Sequence, residues 1–170
     1  MRVFGAGLIV LSCGVMGLVG AASYGHRVHN LRQLISFIHL LESEIRFARA
    51  TLPEVIAKNI PQFSGVIGNF LATLSIHLED GAGQDFSVVW EKGISYLEES
   101  GLPAQAMVDL RDVGKILGQS DVAEQLKHLH LCSTRLQQAL EEAKEEQDRQ
   151  TTLWQYLGFS TGLILVLLLL

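Results

Sequence analysis

The sequence predicts an all-α protein, a helical bundle of about six helices whose long first and last helices continue into transmembrane segments. Apolar residues recur with helical spacing along most of the chain, and no stretch alternates apolar and polar residues over a strand's length. Uncharged runs lie at both ends, at 3–22 and 154–170. We therefore expect a transmembrane helix at 1–22, a helical domain at 23–152 and a second transmembrane helix at 153–170.

The first uncharged run is long enough to cross a bilayer, because twenty helical residues at about 1.5 Å each match a hydrocarbon core of about 30 Å. Its small residues Cys13, Gly17 and Ala21 are spaced four apart, so a second membrane helix can pack closely on them. A cleaved signal peptide is the alternative, because small residues also precede Ser23.

The charges place the central domain relative to the membrane and limit its partners. It holds all 18 acidic residues and 12 of the 13 Lys and Arg, which gives a formal charge of −6 and argues against nucleic acid as a partner. Cations flank the domain side of both uncharged runs, namely Arg27, Arg32, Arg135, Lys144 and Arg149. Cytoplasmic flanks are enriched in such residues, so we expect the domain in the cytoplasm.

The first two helices of the domain are marked by an apolar stripe and a capping signal. The stripe consists of Leu31, Leu34, Ile35, Ile38, Leu41, Ile45 and Ala48. The sequence Thr51-Leu52-Pro53-Glu54 matches a capping box, with proline tolerated in the first helical turn. A short second helix should end at Ile60, before Pro61.

Three further helices follow, separated by glycine-containing breaks. The third runs from Phe63 to Leu78. Asp85 is the predicted N-cap of the fourth, which should close at Gly101. Pro103 opens the fifth, which is broken at 118–121. The predicted core residues of the fourth and fifth helices are Phe86, Val89, Trp90, Ile94, Leu97, Met107, Leu110, Val113 and Leu117.

The last helix has a regular heptad seam and no breaker before Gly158. The seam consists of Val122, Leu126, Leu129, Ser133, Leu136, Leu140 and Ala143. It predicts packing either against the first helix of the same chain or in a coiled coil with another chain.

The sequence contains no motif for catalysis or cofactor binding. Phosphate-binding loops, nucleophile elbows and paired Cys-x-x-Cys ligands are all missing, so we predict no catalytic residue, cofactor or metal. The pairs His26 with His29 and His128 with His130 lack nearby Cys or carboxylate ligands, which makes surface histidines the better interpretation. An enzyme without a linear motif is the alternative.

Two polar clusters are candidate partner-binding sites. The first comprises Glu42, Glu44, Arg46 and Arg49 beside Leu52, which we expect to be exposed. In the alternative interpretation, Glu42 and Arg46 form an ordinary i, i+4 surface pair. The second cluster comprises Gly118, Ser120 and Asp121, in the turn before the last helix.

Several separated motifs resemble the stage III sporulation protein AB family of endospore-forming bacteria. They are Leu31-Arg32-Gln33-Leu34, the stretches 41–47 and 51–55, Leu117-Gly118-Gln119-Ser120-Asp121 with Gln125, and Leu157-Gly158 before the poly-leucine tail. The resemblance covers nearly the whole chain. The order Thr51-Leu52-Pro53 departs from the Thr-Pro-Leu usual at that turn.

The resemblance implies a scaffolding function. Family members are similar to the cytoplasmic domains of the platform proteins of type II secretion and type IV pilus machines, and they lack catalytic residues. The expected partners are a cytoplasmic secretion-type ATPase and other membrane subunits of a channel between mother cell and forespore. The expected location is the cell membrane, with the domain on the mother-cell side. Platform proteins carry two such domains and this chain has one, so the resemblance implies a homo-oligomer. A stand-alone membrane-tethered adaptor or coiled-coil protein is the alternative.

Overall fold

The computed structural model describes residues 2–47, 51–80, 85–98, 100–117 and 121–169. These ranges contain six α-helices and no β-strand, which confirms the all-α prediction. A short 3-10 turn, Ile60–Gln62, joins the second and third helices. The helices are α1 (Arg2–Phe47), α2 (Leu52–Asn59), α3 (Gly65–Asp80), α4 (Phe86–Ser95), α5 (Ala104–Leu117) and α6 (Val122–Leu169).

The chain forms two compact units. One comprises His29–Leu140, and the other combines Met1–Val28 with Glu141–Leu170. We call them the bundle unit and the terminal unit. The long helices α1 and α6 each contribute to both units, because each one continues past the unit boundary without a break.

Aromatic rings fill the core of the bundle unit. Phe37 of α1 lies edge-on to Phe70 of α3 and stacks on Trp90 of α4, with ring centroids 6.2 Å apart in both pairs. Phe70 and Trp90 also meet edge to face at 5.6 Å. Such geometries suit the ring quadrupoles and add to the stabilisation from apolar burial. These three rings fix the arrangement of α1, α3 and α4.

The capping box predicted before α2 is present. The Glu54 carboxylate accepts a hydrogen bond from the Thr51 backbone N–H at 3.0 Å, and the Thr51 carbonyl accepts from Val55 N–H at 3.0 Å. The first of these is the bond by which the Glu54 side chain reaches back to the cap residue, and the second is the first backbone bond of the helix, so together they fix where α2 begins.

The fourth helix is shorter than predicted, since α4 ends at Ser95 rather than continuing to Gly101. A series of turns follows, and the Ser100 carbonyl accepts a 3.1 Å hydrogen bond from the Asn30 side-chain amide. Gly101 has a φ of +73°, a conformation that glycine adopts without steric cost. The bond to α1 and the left-handed glycine therefore replace the last turns of the expected helix.

The seam of α6 is buried only in part. Leu129, Ser133 and Leu136 are buried, and the Ser133 hydroxyl donates to the His130 carbonyl at 2.9 Å. Val122 is 49% exposed, so its placement in the seam was wrong. It occupies the first helical position, one residue after the connection from α5, and contributes little to the core.

The terminal unit contains an antiparallel pairing of α1 with α6. A methyl group on Gly25 would lie 3.6 Å from the Gln147 amide nitrogen, and Arg27 Nη1 lies 3.6 Å from Glu146 Oε2. As the residue number on α1 rises from 25 to 27, the number of the residue contacted on α6 falls from 147 to 146, as expected for antiparallel helices.

Among the described residues, no helix has an apolar stretch that meets the length and hydropathy of a membrane-crossing segment. Both predicted transmembrane helices fall in the end portions of α1 and α6, where nearly all side chains lie outside the described part of the structure. The membrane-helix contact residues Cys13, Gly17 and Ala21 belong to that portion of α1.

Candidate functional site

The first predicted cluster lies at the end of α1 and is built around one ion pair. Arg46 Nη2 donates to Glu42 Oε1 at 2.9 Å, with 58% of the Arg46 side chain exposed and 18% of Glu42. Glu44 is half-buried, and Arg49 lies outside the described residues. The structure thus brings Glu42 and Arg46 together as the i, i+4 pair that the sequence offered as an alternative.

Leu52 does not have the exposure expected of it. It is half-buried as the first residue of α2. The capping contact between Thr51 and Glu54 fixes the start of α2, the helix whose first residue is Leu52.

The second cluster is described only at its end. Asp121 is exposed immediately before α6, and its carbonyl accepts the first backbone hydrogen bond of that helix from Gln125 at 3.0 Å. Gly118 and Ser120 lie outside the described residues. The side-chain amide of Gln125 also donates to the Leu117 carbonyl at 3.2 Å, so this glutamine ties the start of α6 to the end of α5.

A buried carboxylate, which the sequence analysis did not identify, joins α5 to α6. Only 4% of the Asp109 side chain is exposed, and its Oδ1 accepts from Arg135 Nη1 at 2.6 Å and from Gln105 Nε2 at 3.2 Å. Arg135 is 47% exposed, so the guanidinium spans from the buried carboxylate to solvent. Buried charges require such partners, which makes this pair a fixed point between the two helices.

Cys132 lies in a cleft beside that ion pair. Burial, and the nearby negative charge of Asp109, raise the pKa of the Cys132 thiol to about 12, although Arg135 acts in the opposite direction. The cleft has a volume of about 200 Å³ and is also lined by His128 and Leu131. The protonated thiol is a poor nucleophile and a poor metal ligand at neutral pH.

A larger groove lies on the outer face of α4 and α5. Its volume is about 610 Å³, and it is lined by Ser87, Val88, Glu91, Lys92, Ser95, Arg111 and Lys115. Arg111 joins its two sides, because Nε donates to Glu91 at 2.8 Å and Nη2 donates to Glu98 at 2.9 Å. Both acceptors raise the pKa of Arg111, with Glu91 the larger cause. A separate pair, Lys115 with Asp112 at 3.0 Å, lies on α5.

The described residues contain no group of three or more His, Cys, Asp or Glu side chains arranged to hold a metal ion. His29 contacts the Gln33 amide, which also donates to the Ser64 hydroxyl at 3.1 Å. Gln33 therefore links α1 to the residue just before α3, and His29 lies beside Gln33 on α1.

The groove escaped the sequence analysis because each of its residues looks like an ordinary exposed position. Val88, Glu91 and Lys92 lie on one helix, and Arg111 and Lys115 lie on the next, nineteen or more residues away. A signal was present on α4, where the exposed residues Val88, Lys92 and Ser95 are spaced about one helical turn apart and so form one continuous exposed face.

Comparison with known proteins gives one consistent family. The family model described as stage III sporulation protein AB matches residues 2–170. The protein of that name from Bacillus subtilis (strain 168) is 26% identical over 170 residues, which cover 99% of each chain. A solved structure of stage III sporulation protein AB has a TM-score of 0.68 at 23% identity and covers 73% of this chain and 98% of its own. That last likeness supports the fold.

Proposed function

We propose that this chain, which belongs to the stage III sporulation protein AB family, acts in endospore formation as a non-catalytic, membrane-anchored platform subunit. The family match over residues 2–170 is the observation that carries this proposal, because it covers the helical bundle and both uncharged ends together. A role in sporulation follows from the family. The membrane anchoring, the scaffold role and the partners go beyond the family and are our proposal.

Anchoring at both ends is supported by the arrangement of the terminal unit. The two chain ends belong to one compact unit, in which α1 and α6 run antiparallel around Gly25 and Gln147. The antiparallel pair carries both uncharged runs away from the pairing in the same direction, as a two-span hairpin requires. We propose that 1–22 and 153–170 cross the cell membrane and that the bundle lies in the cytoplasm, on the mother-cell side.

The proposed partners are a cytoplasmic secretion-type ATPase and neighbouring membrane subunits. Docking would use the end of α1, where Arg46 stays largely exposed although it is paired with Glu42. Arg49 follows close by in the sequence, and Asp121 offers an exposed charge before α6. Exposed charges at an interface contribute mainly to specificity and association rate, which suits a docking site of this kind.

The test is co-purification of the ATPase with the full-length chain from sporulating cells. We expect Arg46→Glu combined with Arg49→Glu to reduce the recovered ATPase and membrane subunits while the chain stays folded. The matched control is Lys58→Glu with Lys127→Glu, which makes the same change of charge at exposed positions on α2 and α6. Unchanged recovery with the first variant would refute docking at this site.

The same experiment separates the proposal from its alternative. A stand-alone membrane-tethered adaptor would be recovered without the ATPase from wild-type cells. Protection of the bundle from protease in sealed vesicles of known orientation would test the two-span topology independently of any partner.

A further inference from the structure

We infer that the outer face of α4 binds the same face of a second copy of this chain, in an antiparallel, twofold-symmetric contact. This inference rests on the proposed membrane platform and assigns a surface to its self-association. The face comprises Val88, Glu91, Lys92, Ser95 and Tyr96, all exposed, together with the groove that α4 forms with α5.

The face combines exposed apolar side chains with charged side chains. Val88 is 48% exposed and Tyr96 is 60% exposed, and each lies one helical turn from Lys92. Val108 on α5 is a further exposed apolar residue, at 46%. Exposed aromatic and aliphatic residues grouped around a groove are typical of protein contacts.

The charges favour a copy of the chain over a partner with one sign of charge. Lys92, Arg111 and Lys115 are positive, and Glu91, Glu98 and Asp112 are negative. Within the chain Arg111 is paired with Glu91 and Glu98, and Lys115 with Asp112, so the face carries both signs but little net charge. A strongly acidic or strongly basic partner would meet like charges across part of this face. A second copy of the chain can place opposite charges across a twofold axis, provided that the residue order aligns them.

The order of the residues along α4 selects the antiparallel arrangement. With the symmetry axis between positions 91 and 92, Glu91 of each copy faces Lys92 of the other, and Val88 faces the turn that holds Ser95 and Tyr96. In a parallel arrangement, Glu91 would face Glu91 and Lys92 would face Lys92, and like charges directly opposite each other destabilise a contact. The Tyr96 ring of one copy thus meets the Val88 end of the other copy's groove.

The contact should be weak between free molecules. A ten-residue helix is only about 15 Å long, and stable soluble dimers bury about 800 Å² on each partner. Confinement of both copies to one membrane raises their effective concentration, which compensates for a small interface. The contact should therefore be measured in membranes, with the full chain.

Cysteine cross-linking tests the arrangement directly. Copies with Val88→Cys and copies with Tyr96→Cys, carrying different tags in a Cys13→Ala background, are co-expressed and oxidised in membranes. We expect cross-links between the two variants to exceed those of either variant with itself. Cross-links that form mainly between identical positions would overturn the antiparallel arrangement, and cross-links that need a different protein to be present would identify another occupant.

Charge reversal provides the second test. Glu91→Lys or Lys92→Glu alone should reduce the 88-to-96 cross-link about fivefold, because each change places like charges together twice in the symmetric contact. The double variant Glu91→Lys/Lys92→Glu should restore it. Glu142→Lys is the matched control, because it makes the same change of charge at an exposed position on α6, and it should leave the cross-link intact.

The outcomes distinguish this contact from the proposed function as a whole. Failure of the double variant to restore the cross-link would overturn the self-contact. ATPase recovery is measured in the same membranes. Absence of the 88-to-96 cross-link when Glu91 and Lys92 are unchanged, with normal ATPase recovery, refutes only the self-contact, whereas absence of ATPase recovery in wild-type membranes refutes the platform function.

Discussion

The indole N–H of Trp90 donates a 2.8 Å hydrogen bond to the main-chain carbonyl of Leu110 and so joins α4 to α5 inside the core. The same carbonyl is placed to accept the regular helical bond from the residue four positions later, Gly114. The ring rests against Gly114, where a methyl group would lie 2.0 Å from Trp90 Cδ1. The tryptophan can reach the carbonyl only because residue 114 has no side chain.

Gly114→Ala should therefore destabilise the bundle. Alanine normally favours a helix over glycine by up to about 1 kcal/mol, but here the new methyl group would collide with a buried ring. We expect a net loss of about 1–3 kcal/mol in the free energy of unfolding, measured by urea denaturation. Gly25→Ala is the control, because its methyl group meets only ordinary contact distances at Gln147, and it should leave stability unchanged or slightly higher.

The fragment 23–152 should fold without the chain ends. The core of the bundle unit is built from its own apolar side chains, including Phe37, Phe70 and Trp90, each at most 1% exposed. Circular dichroism should show a helical spectrum with one cooperative thermal transition. A spectrum of a disordered chain would show that the bundle depends on the terminal segments.

The buried ion pair of Asp109 with Arg135 should contribute more to the free energy of unfolding than the two exposed ion pairs of Arg111. Arg135→Ala leaves the Asp109 carboxylate buried without its cation, and we expect a loss of about 1–3 kcal/mol in unfolding free energy, moderated by the partial exposure of Arg135. Arg111→Ala removes two pairs, but Glu91 and Glu98 are more than half exposed and regain water. Its cost should therefore be smaller than that of Arg135→Ala. Equal losses from the two variants would contradict this ranking.

Cys132 should resist alkylation while the chain is folded. The pKa of its thiol is about 12 because of burial, so almost no thiolate is present at pH 8. In the fragment 23–152, where Cys132 is the only cysteine, maleimide labelling should be slow until denaturant is added. Rapid labelling of the folded fragment would show that the α5–α6 contact opens readily.

The same thiol predicts a loss of stability in alkaline solution. Its pKa in the unfolded chain is near the ordinary 9.0 and lies below the folded value, so the unfolded state releases the proton first as the pH rises. The stability that Cys132 contributes is complete below about pH 9 and declines between pH 9 and 12. Comparison with Cys132→Ala in urea denaturation isolates this thiol from other groups that titrate in that range.

The helices and most of their buried faces could be predicted from apolar spacing. The stripe of α5 is the clearest case, because Met107, Leu110, Val113 and Leu117 are all buried. Phe37 was missed, since a single stripe assumes that a helix is covered on one side. In the structure α1 also meets the aromatic rings of Phe63 and Trp90, so Phe37, beside the predicted stripe, is 1% exposed.

The candidate sites were predictable only where they are local in sequence. Glu42 and Arg46 are four residues apart on one helix, so their pairing follows from helix geometry. Asp109 and Arg135 are 26 residues apart, and no pattern links them before α6 packs on α5. Asp109 does interrupt an otherwise apolar face between Ala106 and Val113, a signal that a buried partner was needed.

The antiparallel contact at Gly25 and Gln147 also sets an order of events during synthesis. At translation rates of about 5–20 residues per second, roughly 6–25 s separate the appearance of the two residues at the ribosome. Until Gln147 has been synthesised, the part of α1 around Gly25 has not met the helix on which it packs in the terminal unit. Because residues 29–140 separate the two segments of the terminal unit, its two helices can pair only after the chain of the bundle unit has been synthesised.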